Sequence, residues 1–276
     1  MPPALSIAIV TYAPDEILPG RTLASLHEAI AHAQAAGTLA DAQVVVVDNG
    51  PDGTFPRVKA LVARHLVGRP RVRTEILSGH GNIGFARANN LALEKCAGEF
   101  HLILNPDVEM DRDALAQGLA FLATRTDVGA LTPSARHPDG TRQYLVKAYP
   151  GVGVLLLRAF APAFVRKMFR ASLDRYEMRD VDWEREQVPV PIASGAFLLC
   201  RRRVLDQVKG FDPGYFLYFE DFDLSLRLSK VAPIAYVPGV RIVHHGGHAA
   251  AKGLAHIGWF AGSAWRFFSA HGWVRR

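Results

Sequence analysis

The chain has 276 residues, 49% of them hydrophobic and 21% charged, an ordinary globular composition with enough length for one large α/β domain or two small ones. Two cysteines, Cys96 and Cys200, exclude a disulfide framework and have no zinc-ligand spacing, so they read as buried thiols in a reducing compartment. A net charge of +6 favours polyanions, phosphorylated ligands or anionic membrane surfaces, while the absence of Lys/Arg runs interleaved with stacking aromatics argues against nucleic acid.

The opening "MPPALSIAIVTY" has no charged start and only a short apolar run, so no cleaved leader is expected. No apolar stretch approaches bilayer length, which makes the cytoplasm the expected location. Within that opening, "LSIAIVTY" (5–12) is a β-branched run that predicts a buried strand. "GRTLASLHEAIAHAQAAG" (20–37) carries Leu23, Leu26 and Ile30 at helical spacing and stops at Gly37. "AQVVVVDNG" (42–50) predicts a second buried strand ended by an Asp-Asn-Gly turn, and "VRTEILS" (72–78) a third. "FARANNLALEKCAG" (85–98) predicts a helix, "EFHLILNPD" (99–107) a fourth strand and "DRDALAQGLAFLATR" (111–125) another helix. Strands alternating with helices imply a parallel sheet covered on both faces, in which ligands bind beyond the carboxyl ends of the strands. Asp48 and Asp107 fall at such ends.

Past residue 140 the rhythm changes. Residues 154–170 form a basic amphipathic pattern interrupted at Pro162; 193–212 predict a strand and a short helix; 215–230 a loop entering a helix; and 234–248 a strand or two ending in "HHGGH". The tail from Trp259 is aromatic and basic. No linker or repeat divides the chain, so the second half is expected to complete the same domain.

Several residues carry both a chemical and a plain structural reading. Asp48 can hydrogen-bond a base or ribose, or simply form the turn in "DNG". "GHGNIGFARANN" (79–90) places Gly79, Gly81 and Gly84 before a helix, where backbone can approach a phosphate; a tight strand-to-helix turn needs the same glycines. Asp107 and Glu109 suit a hard divalent cation, whereas Asp111 is better explained as a helix cap. "FLYFEDFDLSLRL" (216–228) sets Glu220, Asp221 and Asp223 among aromatics and leucines, and the three histidines within five residues at 244–248 point to a site.

Taken in order, "IVTY", "VVVDNGPDG", "GNIGFARANN", "LILNPDVEM", "ASGAFLLCRRRVLDQVKGFD", "YFEDFDLSLRL" and "VPGVRIVHHGGH" resemble the family 2 glycosyltransferases, in particular the rhamnosyltransferase-type branch that builds bacterial cell-surface polysaccharides. The likeness spans roughly residues 5–250. It implies a GT-A fold: a Rossmann-like, mostly parallel central sheet flanked by helices. Residues 1–140 would bind the nucleotide-sugar, 141–250 would bind acceptor and carry the base, and 251–276 would form a tail.

The resemblance also implies an inverting transfer from a nucleotide-diphosphate sugar to a hydroxyl of a glycan or lipid-linked acceptor. Thr11, Tyr12 and Asp48 would hold base and ribose; Gly81, Asn82, Arg87 and Asn90 would line diphosphate and sugar. Asp107 matches the metal-binding acid of a D-x-D-type motif whose first acid is here Asn105, with His245 of the histidine group as co-ligand for Mg²⁺ or Mn²⁺. Asp221 would be the catalytic base, with Glu220 beside it, and Tyr218, Phe219 and Asp223 would face the acceptor. The donor implied is dTDP-rhamnose, with UDP- and GDP-sugars open. Residues 154–170 and the tail suggest peripheral contact with the inner face of the cytoplasmic membrane. Two other readings remain at this stage: a sugar-phosphate nucleotidyltransferase, although "TYAPDEILPG" lacks the Gly-rich basic loop such enzymes carry after strand one, and a catalytically silent nucleotide-sugar-binding scaffold.

Overall fold

Two seven-residue apolar runs form the strands from which the sheet grows. β1 (Leu5–Thr11) and β2 (Ala42–Asp48) pair in parallel from Leu5↔Ala42 to Thr11↔Asp48, which sets Thr11 beside Asp48 at the carboxyl edge. The computed structural model describes residues 3–13, 16–246 and 254–273. β3 (Val72–Leu77) extends the sheet beyond β2, and β4 (Phe100–Leu104) lies parallel on the other side of β1.

A parallel crossover needs an intervening segment that packs on the sheet. Between β2 and β3 that segment is α2 (Phe55–His65), which the sequence reading passes over because only Val58, Leu61 and Val62 turn inward among Arg, Lys and His. α1 (Ile17–Ala35) links β1 to β2, and α3 (Phe85–Lys95) links β3 to β4.

Successive strand residues point to opposite faces. Ile7, Ile9, Val44 and Val46 therefore join the core beneath α1, α2 and α4 (Ala114–Thr124), while Ala8, Val10, Val45 and Val47 join Ala88 and Ala92 of α3.

Beyond β4 the sheet becomes mixed. β10 (Phe197–Arg201) runs antiparallel to β4, with Leu104 opposite Phe197, and also pairs with β6 (Ala130–Arg136). β6 pairs in parallel with β11 (Ile234–His244), and β11 antiparallel with β5 (Val108–Met110). The short β7 (Arg142–Gln143) adds to β6, while β8 (Val146–Lys147) and β9 (Ile192–Ala193) form a separate ribbon.

The expected amphipathic segment is three short helices, α5 (Val152–Phe160), α6 (Ala163–Met168) and α7 (Arg170–Tyr176), with Pro162 separating the first two. After β10 come α8 (Arg202–Gln207) and α9 (Glu220–Ser229). The aromatic tail is largely α10 (Leu254–His271), and Phe267 and Phe268 are buried against Phe219, joining Leu224 and Leu228 of α9 in the second core. Cys96 and Cys200 are free and buried, and burial pushes their thiols up to about 11 and about 12. Among the described residues no helix is long and apolar enough to cross a membrane.

Candidate active site

The loop after β4 and the loop before β10 meet because their strands are paired. Asn105 N–H donates to Ala196 O at 2.8 Å, and Gly195 N–H donates to the Asp221 carboxylate at 3.1 Å. Asn105 and Asp107 of one loop and the sequence-distant Asp221 are thereby drawn to one end of the sheet.

Asp221 enters this junction through a strained turn. Tyr218 and Phe219 have φ of 71° and 64°, the left-handed region that bulky side chains avoid, at roughly 1–3 kcal/mol each. Phe219 is held there by packing against Phe222, Phe260, Phe267 and Phe268. The turn delivers Glu220 and Asp221 as the first residues of α9. A helix N-terminus favours carboxylate charge, but burial opposes it and prevails at Glu220. Glu220 is 6% exposed, its Oε2 is buried without a hydrogen-bond partner, and burial together with the neighbouring Asp221 charge pushes its carboxyl up to about 8. Burial also raises Asp221, but the N–H groups of Gly195 and Phe222, at 3.1 and 2.9 Å, stabilise its charged form. Of the two acids, Asp221 is the one built to stay ionised.

Asp107 has the other unmet demand. Its Oδ1 is buried without a hydrogen-bond partner, as is Oδ1 of Asn105. His244 Nε2 lies 3.4 Å from Asp107 Oδ1, and its Nδ1 lies 2.8 Å from Gln143 Oε1, an acceptor that fixes the ring with its Nε2 edge toward Asp107. A Cβ on Gly246 would stand 2.6 Å from His244 Nε2 and 2.8 Å from Asp107 Oδ2, so only glycine leaves this space open. His245 donates its backbone N–H to Asp107 O at 3.0 Å, but its ring bonds Glu109 at 2.6 Å, and Arg21 also approaches Glu109, at 3.5 Å. Among the described residues there is no cluster of three or more His, Cys, Asp and Glu that could hold a metal. Asp107 and His244 offer two donors of the right hardness, with room beside them, so a divalent cation fits if a diphosphate completes its shell. His248 lies outside the described residues.

On the β2 side the polar groups satisfy one another. Asp48 accepts from Gly50 N–H at 3.1 Å and from Thr54 Oγ1–H at 2.7 Å, the turn-forming arrangement. Thr11 donates to Val47 O at 3.4 Å, and Tyr12 stands exposed beside it. Asn49, which the sequence reading did not single out, ties this edge to the glycine loop. Its amide donates to Asn82 Oδ1 at 3.3 Å and Gly84 O at 3.2 Å, and its Oδ1 accepts from Ile83 N–H at 3.4 Å. An asparagine directly after a strand-ending Asp was the available signal.

Gly84 at φ 85° packs on Phe216 O, where a Cβ would come within 2.6 Å, whereas Gly81 stands open. Arg87 and Asn90 reach back to the loop after α8. Arg87 bonds Pro213 O at 2.9 Å, and Asn90 bonds both the N–H and the C=O of Phe211, at 2.9 and 2.8 Å.

The acceptor-side residues divide. Tyr218 OH lies 2.8 Å from His256 Nδ1 on α10. Phe219 is in the core, and Asp223 is buried between Arg227 and His271, at 2.7 and 2.8 Å, where it fastens α10 to α9. Both are engaged by residues of α10.

The family model described as "Glycosyltransferase like family 2" matches residues 2–256. An N-acetylglucosaminyl-diphospho-decaprenol L-rhamnosyltransferase of Mycobacterium tuberculosis is 31% identical over 264 residues, covering 91% of this chain and 79% of that protein. Rhamnosyltransferase WbbL of Escherichia coli is 30% identical over 186 residues, covering 63% of this chain and 65% of that one. Among solved structures, the mannosyltransferase PcManGT of Pyrobaculum calidifontis, in complex with GDP-Man and Mn²⁺, superposes with a TM-score of 0.61 at 18% identity, covering 99% of this chain and 77% of that one. That likeness fixes the fold as GT-A.

Proposed function

The chain belongs to the family 2 glycosyltransferases, and from that premise we propose that it transfers a sugar, with inversion, from a nucleoside-diphosphate sugar to a hydroxyl of a lipid-linked glycan in cell-surface polysaccharide synthesis. One observation carries the reading. Three buried oxygens without a hydrogen-bond partner, Asn105 Oδ1, Asp107 Oδ1 and Glu220 Oε2, belong to segments joined by the Asn105–Ala196 and Gly195–Asp221 hydrogen bonds. Each such group calls for an explanation, and three of them on joined segments at one end of the sheet are what a bound ligand or ion would meet.

In this reading the donor lies over the carboxyl ends of β1, β2 and β4, so that residues 1–140 serve it, while residues 141–250 bring the acceptor and the base. The asparagine lattice of Asn49 and Asn82 fixes the glycine loop at the donor. Asp107 and His244 hold the divalent cation, which when bound offsets negative charge on the departing diphosphate. Asp221 accepts the proton of the acceptor hydroxyl as its oxygen bonds the anomeric carbon, opposite the bond that breaks to the diphosphate. Glu220, kept protonated near neutral pH by burial, leaves Asp221 as the ionised partner.

The mycobacterial relative's name specifies a rhamnosyl donor and a diphospho-decaprenol-linked N-acetylglucosamine acceptor. For this chain we take dTDP-rhamnose and an acceptor of that class, used at the inner membrane surface. The test is thermal stabilisation by dTDP-, UDP- and GDP-sugars, with and without Mn²⁺, followed by transfer assays with whichever donor stabilises. Metal-dependent stabilisation by one of them, followed by transfer to a lipid-linked N-acetylglucosamine, is expected. Indifference to all of them would refute the donor reading.

A further inference from the structure

Close to the acid pair stands a group of cations that nearby carboxylates only partly balance. Lys147 Nζ and Arg158 Cζ each lie 5.6 Å from the ring centroid of Tyr176, and Arg179 Cζ lies 4.8 Å from that of Tyr144. Arg179 is taken up by Glu177 at 2.6 Å and Asp174 at 3.2 Å, leaving Lys147 a share of Glu177 at 3.6 Å. Arg158 also acts on Glu177 through its charge, but the ion pairs of that carboxylate go to Arg179 and Lys147. Burial, with Arg158 and Arg179 close by, lowers Lys147 to about 8 despite Glu177.

Tyr176 connects this group to the reaction centre. It is 3% exposed, and its buried hydroxyl has no polar neighbour within reach other than the Arg158 guanidinium. Burial first, and then the nearby Asp221 charge, push it up to about 12 against the pull of Arg158, so Tyr176 lies within electrostatic reach of both. The backbone makes the same connection: Lys147 pairs with Ile192, and three residues on from Ile192, Gly195 holds Asp221. Outward from Arg158 the surface turns apolar. Leu156 on α5 and Phe164 and Met168 on α6 are 53%, 74% and 71% exposed, and no residue of α6 is buried.

We propose that Lys147, Arg158 and Tyr176 bind the phosphate of an amphiphilic acceptor, a diphosphate ester of a long apolar chain, whose chain runs out along Leu156, Phe164 and Met168. The inference deepens the transfer reading by placing the charged end of the acceptor next to the base that takes its proton. Two cations and a hydroxyl can donate charge-assisted hydrogen bonds to phosphate oxygens, and an exposed apolar patch beside them supplies the surface a prenyl chain requires.

Calorimetric titration of the full chain with geranyl diphosphate tests this without a nucleotide sugar or turnover. Transfer and this site can therefore fail separately. Wild type is expected to bind geranyl diphosphate more tightly than inorganic pyrophosphate and to ignore geraniol. Arg158→Gln, on an exposed helix position, and Lys147→Gln should each weaken binding about tenfold or more. Binding at the donor position would be indifferent to both substitutions, so an unchanged affinity in folded Arg158→Gln overturns the site. Equal binding of pyrophosphate and geranyl diphosphate by wild type overturns the amphiphile.

Discussion

Asp48 and Glu220 are buried to much the same degree, 3% and 6% exposed, yet the fold treats them in opposite ways. Asp48 closes a turn in which both oxygens accept hydrogen bonds from its own neighbours, Gly50 and Thr54. Glu220 follows two residues in the left-handed region, keeps an oxygen without a partner and has its carboxyl pushed up to about 8. In the proposed reading the β2 edge is thus a finished scaffold for the donor, while the start of α9 holds an unmet polar group and backbone strain. Such defects persist where binding or chemistry gives a return for them.

Substitutions at the two regions should therefore differ in kind. Asp221→Asn is expected to lower the transfer rate about 10²- to 10⁴-fold, the range a positioned general base supplies, as read in a steady-state assay with saturating donor. Asp107→Asn should abolish the stabilisation that Mn²⁺ adds to nucleotide binding in thermal melts; a melt profile like wild type would remove the cation from this site.

On the scaffold side, Asn90→Ala strands both the N–H and the C=O of Phe211. It should cost about 1–3 kcal/mol in urea unfolding, with the metal-dependent nucleotide shift retained.

The smallest structural change is Glu220→Gln. A carboxyl raised from 4.5 to about 8 on folding contributes stability that is fully present below pH 4.5 and is lost as pH rises through about 8. Glutamine mimics the protonated acid and cannot ionise, so the decline in melting temperature between those pH values should flatten. It should not vanish, because burial raises Asp221 as well.

Legibility in the sequence followed the range of the interactions. Strands β1 and β2 are readable because a β-branched run with a turn at its end is a local signal, and β4 because a short apolar run ends in Asn-Pro-Asp. α2 gives no such signal because its buried face is only three residues, Val58, Leu61 and Val62. The antiparallel insertion of β10 between β4 and β6 depends on partners about 70 to 100 residues away, which no local pattern reports.

The site shows the same limit. Asp107 and the Glu220–Asp221 pair stood out as acids among apolar neighbours. His244 and His245 are adjacent at the end of β11, so their side chains point to opposite sides, and the sequence had no means of choosing between them. The structure turns His244 toward Asp107 and His245 toward Glu109. Phe219 and Asp223 carried the same aromatic and acidic signals as their neighbours, yet α10 takes both up. That helix was visible in the sequence only as an aromatic, basic tail.

The division of labour between the two regions rests most directly on the donor affinity of Asp221→Asn, measured calorimetrically with the nucleotide sugar that wild type uses and with Mn²⁺ present. If Asp221 serves the acceptor and the proton alone, the dissociation constant should stay within about twofold of wild type, well under the 1.4 kcal/mol that a tenfold change represents. A loss of tenfold or more would place Asp221 among the donor's own contacts and contradict the account.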